Sequence, residues 1–261
     1  MNYIDIGVNL TNRSLNRDLD GVIGRAVAAG VQQMVVTGTS IDESAEAIEL
    51  CHLYPERLVC TAGIHPHHAS EWTNDATRMI QAFCENSCVR AIGETGLDFN
   101  RNYSTAEDQI NAFRQQLELA ISLEKPVFTH QRDAHDTFID ILQEYRSQLS
   151  QVVVHCFTDS RPALLDYLEL DCHIGITGWV CDERRGLELQ QMVDLIPANR
   201  LMVETDSPYL LPRDLPGRPK NRINEPVNLP HIVNSIARHQ DKTVAQLADE
   251  CLTTSQLFFN L

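Results

Sequence analysis

VRAIGE, residues 89–94, is a short apolar run that ends in a glutamate, and four other runs in the chain have the same form. TAGIH ends at His65, PVFTH at His130, VVVH at His155 and LMVETD at Asp206. Each of these five terminal side chains is able to bind a metal or to move a proton. In a barrel of alternating strands and helices, catalytic residues lie at the carboxyl ends of the strands around one axial pocket. The five runs therefore predict a barrel with a polar site at that rim.

Strand-like runs alternate with helical segments along the whole chain, a pattern typical of repeated parallel βα units. The eight runs are YIDIGV, QQMVVTG, LVCTAGI, VRAIGE, KPVFTH, QVVVH, CHIGITG and RLMVETD. Most of them are continuously apolar, as parallel strands covered on both faces should be. The chain has 261 residues, and roughly 250 is typical of one eightfold barrel. We therefore predict the α/β class, a single (β/α)8 TIM barrel, and one domain over residues 1–261.

Helix starts are predicted from capping boxes, in which the first and fourth side chains satisfy each other's free backbone N–H groups. The pattern occurs as SIDE at 40–43, STAE at 104–107 and TVAQ at 243–246. We therefore expect Ser40, Ser104 and Thr243 to cap helices.

The chain is acidic, with 21 Lys and Arg against 36 Asp and Glu and a net charge of -15. This charge opposes a broad polyanion-binding surface, so any nucleic acid must be gripped locally. The sequence shows no basic leader and no apolar segment long enough to span a membrane. We expect a cytoplasmic monomer without a membrane partner.

Eight cysteines are scattered along the chain without a CxxC pair. Several lie in apolar runs, and free cysteine is commonly buried as a small hydrophobic residue. We predict reduced packing residues rather than disulfides or zinc ligands.

The residues at the predicted rim suit a divalent metal. A carboxylate has two oxygens, so Glu94 is able to bridge two ions, with His130 and His155 holding one of them. His65 and Asp206 are then expected to help hold the other, and Asp206 is also placed to accept a proton from the attacking water. Glu94, His130, His155 and Asp206 are the predicted catalytic residues.

Each of several further residues near the rim has two interpretations. The period of two along a strand puts Glu204 on the same face as Asp206. His67 contacts substrate or metal, or else caps backbone groups. Arg132 stabilises a phosphate, or pairs with a neighbouring acid. Trp179 and Tyr209 each stack on a terminal base or pack on the barrel, and Trp179 is the preferred candidate for stacking.

The longest irregular stretch, residues 208–226, concentrates cations in an otherwise acidic chain. It contains Arg213, Arg218, Lys220 and Arg222. Because phosphates often bind near the loops after the seventh and eighth strands of such barrels, this stretch is a candidate phosphate grip. The alternative is a solvated loop.

Long motifs across the chain resemble TatD-type metal-dependent deoxyribonucleases. They are GETGLDFNRN (93–102), HQRDAH (130–135), HCFTD (155–159), ITGWVCDERRG (176–186), ETDSPYLLPRD (204–214) and NEP (224–226). The resemblance implies an amidohydrolase-related barrel and metal-dependent hydrolysis of phosphodiester bonds. It further implies 3′-5′ exonuclease action on single-stranded DNA, with RNA as a second candidate substrate, and a role in DNA repair.

One departure from the family concerns the first strand. Many members carry an Asp-x-His-x-His pattern there, whereas this chain has Asp5, Gly7 and Asn9. The amide oxygen of Asn9 suits magnesium better than zinc. We therefore expect Mg²⁺, with Mn²⁺ or Zn²⁺ as alternatives, as one or two ions, and keep Asp5 and Asn9 as secondary candidates.

Two other functions stay open at this point. One is a small-molecule amidohydrolase that acts on a cyclic amide or lactone with the same metal site. The other is a catalytically degenerate barrel that binds nucleic acid without turnover. Dependence of turnover on added metal separates a nuclease from the degenerate barrel.

Overall fold

The structure is a computed structural model that describes residues 1–261. Its strands are β1 (Tyr3–Val8), β2 (Val31–Val36), β3 (Leu58–Ala62), β4 (Val89–Asp98), β5 (Val127–Arg132), β6 (Val152–Val154), β7 (His173–Ile176) and β8 (Leu201–Val203). They form one eight-stranded sheet in the order β1 to β8. With helices between successive strands, this is the predicted (β/α)8 TIM barrel, and the fold class is confirmed.

Ten α-helices accompany the strands. They are α1 (Arg13–Asn16), α2 (Leu19–Ala28), α3 (Ile41–Leu53), α4 (Asn74–Phe83), α5 (Ala106–Ser122), α6 (His135–Tyr145), α7 (Arg161–Glu169), α8 (Leu187–Gln190), α9 (Leu229–His239) and α10 (Val244–Phe259). No helix is both long enough and apolar enough to cross a membrane.

The chain divides into two compact units. Unit 1 comprises residues 1–36, 156–165 and 173–261, and unit 2 comprises residues 37–155 and 166–172. The single domain over residues 1–261 stays a prediction.

Unit 1 contains the first and last strands of the sheet, which meet there. The Asp206 N–H donates to the Gly7 carbonyl at 2.9 Å, and the Asn9 N–H donates to the Ser207 carbonyl at 2.8 Å. Val8 and Ser207 form a parallel bridge. These bonds place the segment after β8 beside the end of β1.

Unit 2 carries β3 to β6 with buried side chains on both faces of the sheet. Phe113 of α5 stacks on Phe138 of α6 with 5.0 Å between ring centroids. Phe138 in turn meets the ring of Tyr167 edge-on at 5.7 Å. All three rings are fully buried, so they fix the helices against the strands that carry the polar residues.

Two of the three predicted caps are confirmed and one is wrong. Ser40 accepts a hydrogen bond from the Glu43 N–H, and Thr243 accepts one from the Gln246 N–H. Helix α5 is capped by Thr105 instead of Ser104. The Ser104 hydroxyl has a tertiary role, because it donates to the His67 carbonyl at 3.1 Å.

Candidate active site

Three imidazoles of unit 2 converge on a single carboxylate oxygen, Oε1 of Glu94. The distances from this oxygen are 2.8 Å to His155 Nε2, 3.1 Å to His130 Nδ1 and 3.3 Å to His65 Nε2. We call these four residues the histidine cluster. Glu94, His65 and His155 are all buried.

Neighbouring strands bring the histidine cluster together. Glu94 lies on β4 and His130 on β5, while His65 and His155 follow β3 and β6. In the β4–β5 pair His130 stands opposite Gly96, and a Cβ at Gly96 would lie 1.9 Å from the His130 carbonyl oxygen. Only glycine permits this approach, and its φ of +136° is also one that other residues rarely adopt. The motif glycine therefore sets the position of His130.

The electrostatics of the cluster favour an ionised carboxylate. Burial by itself would raise the pKa of Glu94, but the charges of His155 and His65 and hydrogen bonds from His130 and His155 hold this pKa well below its usual range. Burial lowers the pKa of His65 to about 4. Burial also opposes the charge of His130, yet the carboxylates of Asp98 and Glu94 raise its pKa above the ordinary value.

A backbone hydrogen bond determines which nitrogen of His65 carries the proton. The His67 N–H donates to His65 Nδ1 at 3.0 Å. In a neutral imidazole the proton then lies on Nε2, which faces Glu94. This tautomer makes His65 a hydrogen-bond donor to the carboxylate, whereas a metal ligand needs the lone pair of that nitrogen. The prediction that His65 binds metal stays a prediction.

Asp98 is a site residue that the sequence reasoning did not select. Its Oδ2 lies 2.9 Å from His67 Nε2 and 3.5 Å from His130 Nε2. Asp98 is 1% exposed, and burial would raise its pKa, but the imidazoles of His130 and His67 and the Arg101 N–H lower it strongly. A signal was present, because residues 94, 96 and 98 share one face of β4 under the strand period of two.

Two buried glutamines of α5 hold the strand ends from behind. The Gln116 side chain accepts from the Ile64 N–H at 2.8 Å and donates to the Ile64 carbonyl at 3.0 Å and to Thr95 Oγ1 at 2.7 Å. The Gln109 side chain accepts from the Asp98 N–H at 2.8 Å and donates to the Asp98 carbonyl at 3.1 Å. Both are fully buried, so they fix the backbone beside His65 and at Asp98.

Unit 1 gathers the other predicted acids. Asn9 Nδ2 donates to Asp206 Oδ1 at 3.0 Å and to the Ser207 carbonyl at 3.1 Å. Two acceptors on one side identify that atom as nitrogen, so Asn9 orients Asp206 with its amide N–H groups. Glu204 is fully buried and accepts a hydrogen bond from the Cys156 N–H.

Asp5 has a structural role, because its carboxylate is hydrogen-bonded to Thr205. It is fully buried, and its Oδ1 accepts from the Thr205 N–H at 2.9 Å while its Oδ2 lies 2.6 Å from Thr205 Oγ1. Burial raises the pKa of Asp5 to about 8 despite the hydrogen bonds from Thr205. Thr205, which lies between Glu204 and Asp206 in the chain, therefore turns its side chain toward Asp5.

The two predicted stacking aromatics differ in exposure. The Arg185 guanidinium lies over the Trp179 ring, 4.2 Å from its centroid, so one face of the indole is already covered. Tyr209 is 54% exposed, and its hydroxyl accepts from Asn12 Nδ2 at 3.3 Å. Tyr209 therefore offers the more open ring.

The basic stretch after β8 lines a cavity in unit 1 of about 470 Å³. Its walls are formed by Arg185, Leu211, Arg213, Arg218, Pro219, Lys220 and Arg222. Arg213 also contacts two acids, Glu183 at 3.0 Å and Asp182 at 3.5 Å. In unit 2, Arg132 is exposed at the end of β5, and the neighbouring Asp133 accepts from Asn100 Nδ2.

The donor set of the histidine cluster fits a divalent metal ion. Glu94, His130 and His65 each offer one potential ligand atom, and these atoms lie within 4.8 Å of one another. Imidazole nitrogens and a carboxylate oxygen are ligands that zinc, manganese and related ions accept. His130 Nε2 is buried without a hydrogen-bond partner, so its ring is held by charge and packing with Nδ1 turned toward Glu94.

Comparison with known proteins gives concordant matches over the whole chain. The family described as TatD related DNase matches residues 4–260. Two curated relatives are both named 3′-5′ ssDNA/RNA exonuclease TatD. The one from Erwinia tasmaniensis is 49% identical over 257 residues, covering 98% of this chain and 99% of the relative. The one from Pectobacterium parmentieri is 51% identical over 249 residues, covering 94% and 96%.

Solved structures give the same fold. A TatD homologue of Escherichia coli K12 matches with a TM-score of 0.90 at 24% identity, covering 99% of this chain and 98% of that one. A hydrolase of the TatD family from Entamoeba histolytica matches with a TM-score of 0.90 at 26% identity and the same coverage.

Proposed function

The chain belongs to the TatD-related DNase family, and we propose that it is a metal-dependent 3′-5′ exonuclease that hydrolyses the phosphodiester bonds of single-stranded DNA and RNA. The observation that carries the proposal is the convergence of three imidazoles within 3.3 Å of Glu94 Oε1. The names of the relatives at about half identity support the substrate and the direction of cleavage.

Glu94, His130 and His155 are the residues that we assign to the metal ion. When bound, a divalent ion makes water more acidic and neutralises charge on phosphate oxygens. The Nε2–H of His65 donates a hydrogen bond to Glu94 and so holds the carboxylate in position. Asp98 Oδ2 attracts His130 Nε2 at 3.5 Å, and this attraction restrains rotation of the His130 ring.

Asp206 is the residue that we assign to proton transfer. A carboxylate within reach of the attacking water accepts its proton as a general base. Asn9 fixes the Asp206 carboxylate through the 3.0 Å hydrogen bond, and Glu204 adds a second buried acid two residues earlier in the chain. Family membership supports the assignment of Asp206 to the same reaction as Glu94.

His67 is placed to contact the substrate. Its side chain is 29% exposed, whereas its partner Asp98 is buried, at 2.9 Å from Nε2. A buried carboxylate orients the imidazole that pairs with it. We assign His67 to a phosphate oxygen of the strand that is being cleaved.

The cavity in the basic stretch is the candidate grip on the nucleic-acid backbone. Its cationic lining is concentrated in a protein of net charge -15. Contacts of Lys and Arg with phosphates are independent of base sequence, which suits an exonuclease that removes any nucleotide. Tyr209, with its open ring, is the better candidate to stack on a base.

The ion is proposed to be Mg²⁺, with Mn²⁺ and Zn²⁺ as the alternatives. Imidazole ligands in the histidine cluster suit Mn²⁺ and Zn²⁺, while the oxygen ligands of Asp206 and Glu204 suit Mg²⁺. One or two ions, a monomer, a cytoplasmic location and a role in DNA repair remain predictions.

The test is digestion of single-stranded DNA and RNA oligomers that carry a label at the 3′ or the 5′ end. Each reaction contains Mg²⁺, Mn²⁺, Zn²⁺ or a chelator, and Glu94→Ala controls for contaminating nucleases. The proposal predicts metal-dependent release of the 3′ label first, absent in the variant, which keeps the fold. Release of the 5′ label first would refute the direction. Failure to cleave any oligomer with any metal would favour an amidohydrolase, tested next on cyclic amides and lactones.

A further inference from the structure

Three cysteines that are far apart in sequence meet in unit 2, away from the histidine cluster. The sulfur atoms of Cys51, Cys60 and Cys88 all lie within 4.8 Å of one another. Cys51 and Cys60 are buried, at 1% and 0% exposure, and Cys88 is half-buried. All three are free thiols. We call them the cysteine cluster.

The backbone around the cysteine cluster is well fixed. Cys60 lies in β3 and pairs with Val89 at the start of β4, and the Cys60 N–H donates to the Cys88 carbonyl at 2.9 Å. Cys51 is in the last turns of α3, which packs on β3. A sheet register and a packed helix therefore hold the three thiols at one place before any ligand arrives.

We propose that the cysteine cluster binds a thiophilic divalent cation of the zinc and cadmium type through three thiolates. Zn–S bonds of about 2.3 Å place the sulfurs around one ion about 4 Å apart, so a triad within 4.8 Å closes on an ion through small side-chain movements. A disulfide would need two of the sulfurs to approach to about 2.05 Å and would leave the third unused.

The chemistry of binding is an exchange of protons for the ion. Each thiol that becomes a ligand releases its proton to solvent, so the affinity rises with pH. The half-buried side of Cys88 gives the ion a route to two otherwise enclosed sulfurs. Packing alone would bury single thiols anywhere in the core, and it gives no reason for three of the eight cysteines to share one point.

The position indicates a stabilising ion. Cys60 lies five residues before His65, and Cys88 directly precedes β4, whereas Glu94 lies further along that strand. In TIM barrels the amino-terminal ends of the strands serve stability and the carboxyl ends serve catalysis. An ion in the cysteine cluster therefore raises the melting temperature without being needed for turnover.

The first test is titration of the reduced protein with Cd²⁺, followed by the ultraviolet charge-transfer absorption of cadmium thiolates. The histidine cluster contains no thiolate and is silent in this absorption. We expect saturation at one equivalent, displacement by Zn²⁺, and loss of the band in Cys51→Ser and Cys88→Ser. Cys84→Ser, a cysteine of the same unit outside the cluster, keeps the band. No band at one equivalent, or an undiminished band in folded Cys88→Ser, would overturn the proposal.

A second test uses only the native sequence, so it does not depend on the folding of a variant. The rate at which an alkylating reagent modifies Cys88 is measured by peptide mapping, with Zn²⁺ or with a chelator, and Cys84 serves as the internal reference. Coordination removes the thiolate from attack, so we expect Zn²⁺ to slow modification of Cys88 at least about tenfold relative to Cys84. Equal rates with and without Zn²⁺ would overturn the proposal, as would a disulfide within the cluster in the purified protein.

Discussion

The substitution Glu94→Gln removes one negative charge from the centre of three imidazoles and keeps the size of the side chain. His155 Nε2 lies 2.8 Å from the affected oxygen. At an effective dielectric constant of about 20, each unit of positive charge that the metal ion brings to about that distance gains about 6 kcal/mol from the carboxylate. The amide oxygen of glutamine and local rearrangement recover part of this loss. Since about 1.4 kcal/mol corresponds to a factor of ten, we expect kcat/KM to fall at least about 10³-fold.

The assay is release of 3′-terminal mononucleotides from a single-stranded oligomer at saturating metal. Glu144→Gln is the matched control, because Glu144 loses the same charge at the surface of unit 2, where it pairs with Arg114 at 2.5 Å. We expect the control to retain wild-type activity. Circular dichroism and a thermal melt establish that both variants are folded. A folded Glu94→Gln variant with kcat/KM within about tenfold of the wild type would refute the role assigned to this carboxylate.

Three further predictions concern stability and substrate binding. Burial raises the pKa of Asp5 to about 8, above its ordinary value of about 4. Between these two pH values the folded state holds a proton that the unfolded state releases. The free energy of unfolding therefore falls as pH rises through this range. Asp5→Asn flattens that fall in urea unfolding across the pH range, and parallel profiles would contradict the pKa. Gln116→Leu leaves the buried Ile64 N–H and carbonyl without partners and lowers the free energy of unfolding by about 2–3 kcal/mol; an unchanged urea midpoint would contradict this anchoring. The double substitution Arg218→Ala and Lys220→Ala makes log KM less dependent on log salt, by about 0.7 for each lost phosphate contact on a single strand, and an unaltered slope would exclude the basic cavity as the grip.

The strands and most of the histidine cluster could be predicted because the signal is local. A buried parallel strand is a continuous apolar run, and a polar residue at its carboxyl end reaches the rim in any βα barrel. His155 directly follows β6, as the rule predicts, whereas β4 and β5 continue past Glu94 and His130 to Asp98 and Arg132. Because β4, β5 and β6 are neighbours in the sheet, His130 Nδ1 lies 3.1 Å and His155 Nε2 lies 2.8 Å from Glu94 Oε1.

The supporting residues could not be predicted because their partners are set by tertiary structure. In the sequence, Gln116 is one polar residue among several on a helix. In the structure its side-chain amide is buried and hydrogen-bonded to Ile64 and Thr95. The capping box at Ser104 was wrong for a related reason. The hydroxyl of Ser104 donates a hydrogen bond to the carbonyl of His67, 37 residues away. The neighbouring Thr105, which also has a hydroxyl, caps the helix instead.

The cysteines show the limit of spacing as a guide to metal sites. Without a CxxC pair, the sequence predicted eight reduced packing residues, and all eight are free thiols in the structure. Cys51, Cys60 and Cys88 are brought together by the pairing of β3 with β4 and by the packing of α3, which no local pattern encodes.

The most direct test of the central claim is an anomalous difference map from crystals soaked in Mn²⁺ at a concentration that supports turnover. We predict a manganese peak in the histidine cluster, beside Glu94, His130 and His155. Mn²⁺-dependent cleavage of single-stranded DNA by a protein whose crystals show no manganese beside Glu94 would contradict it.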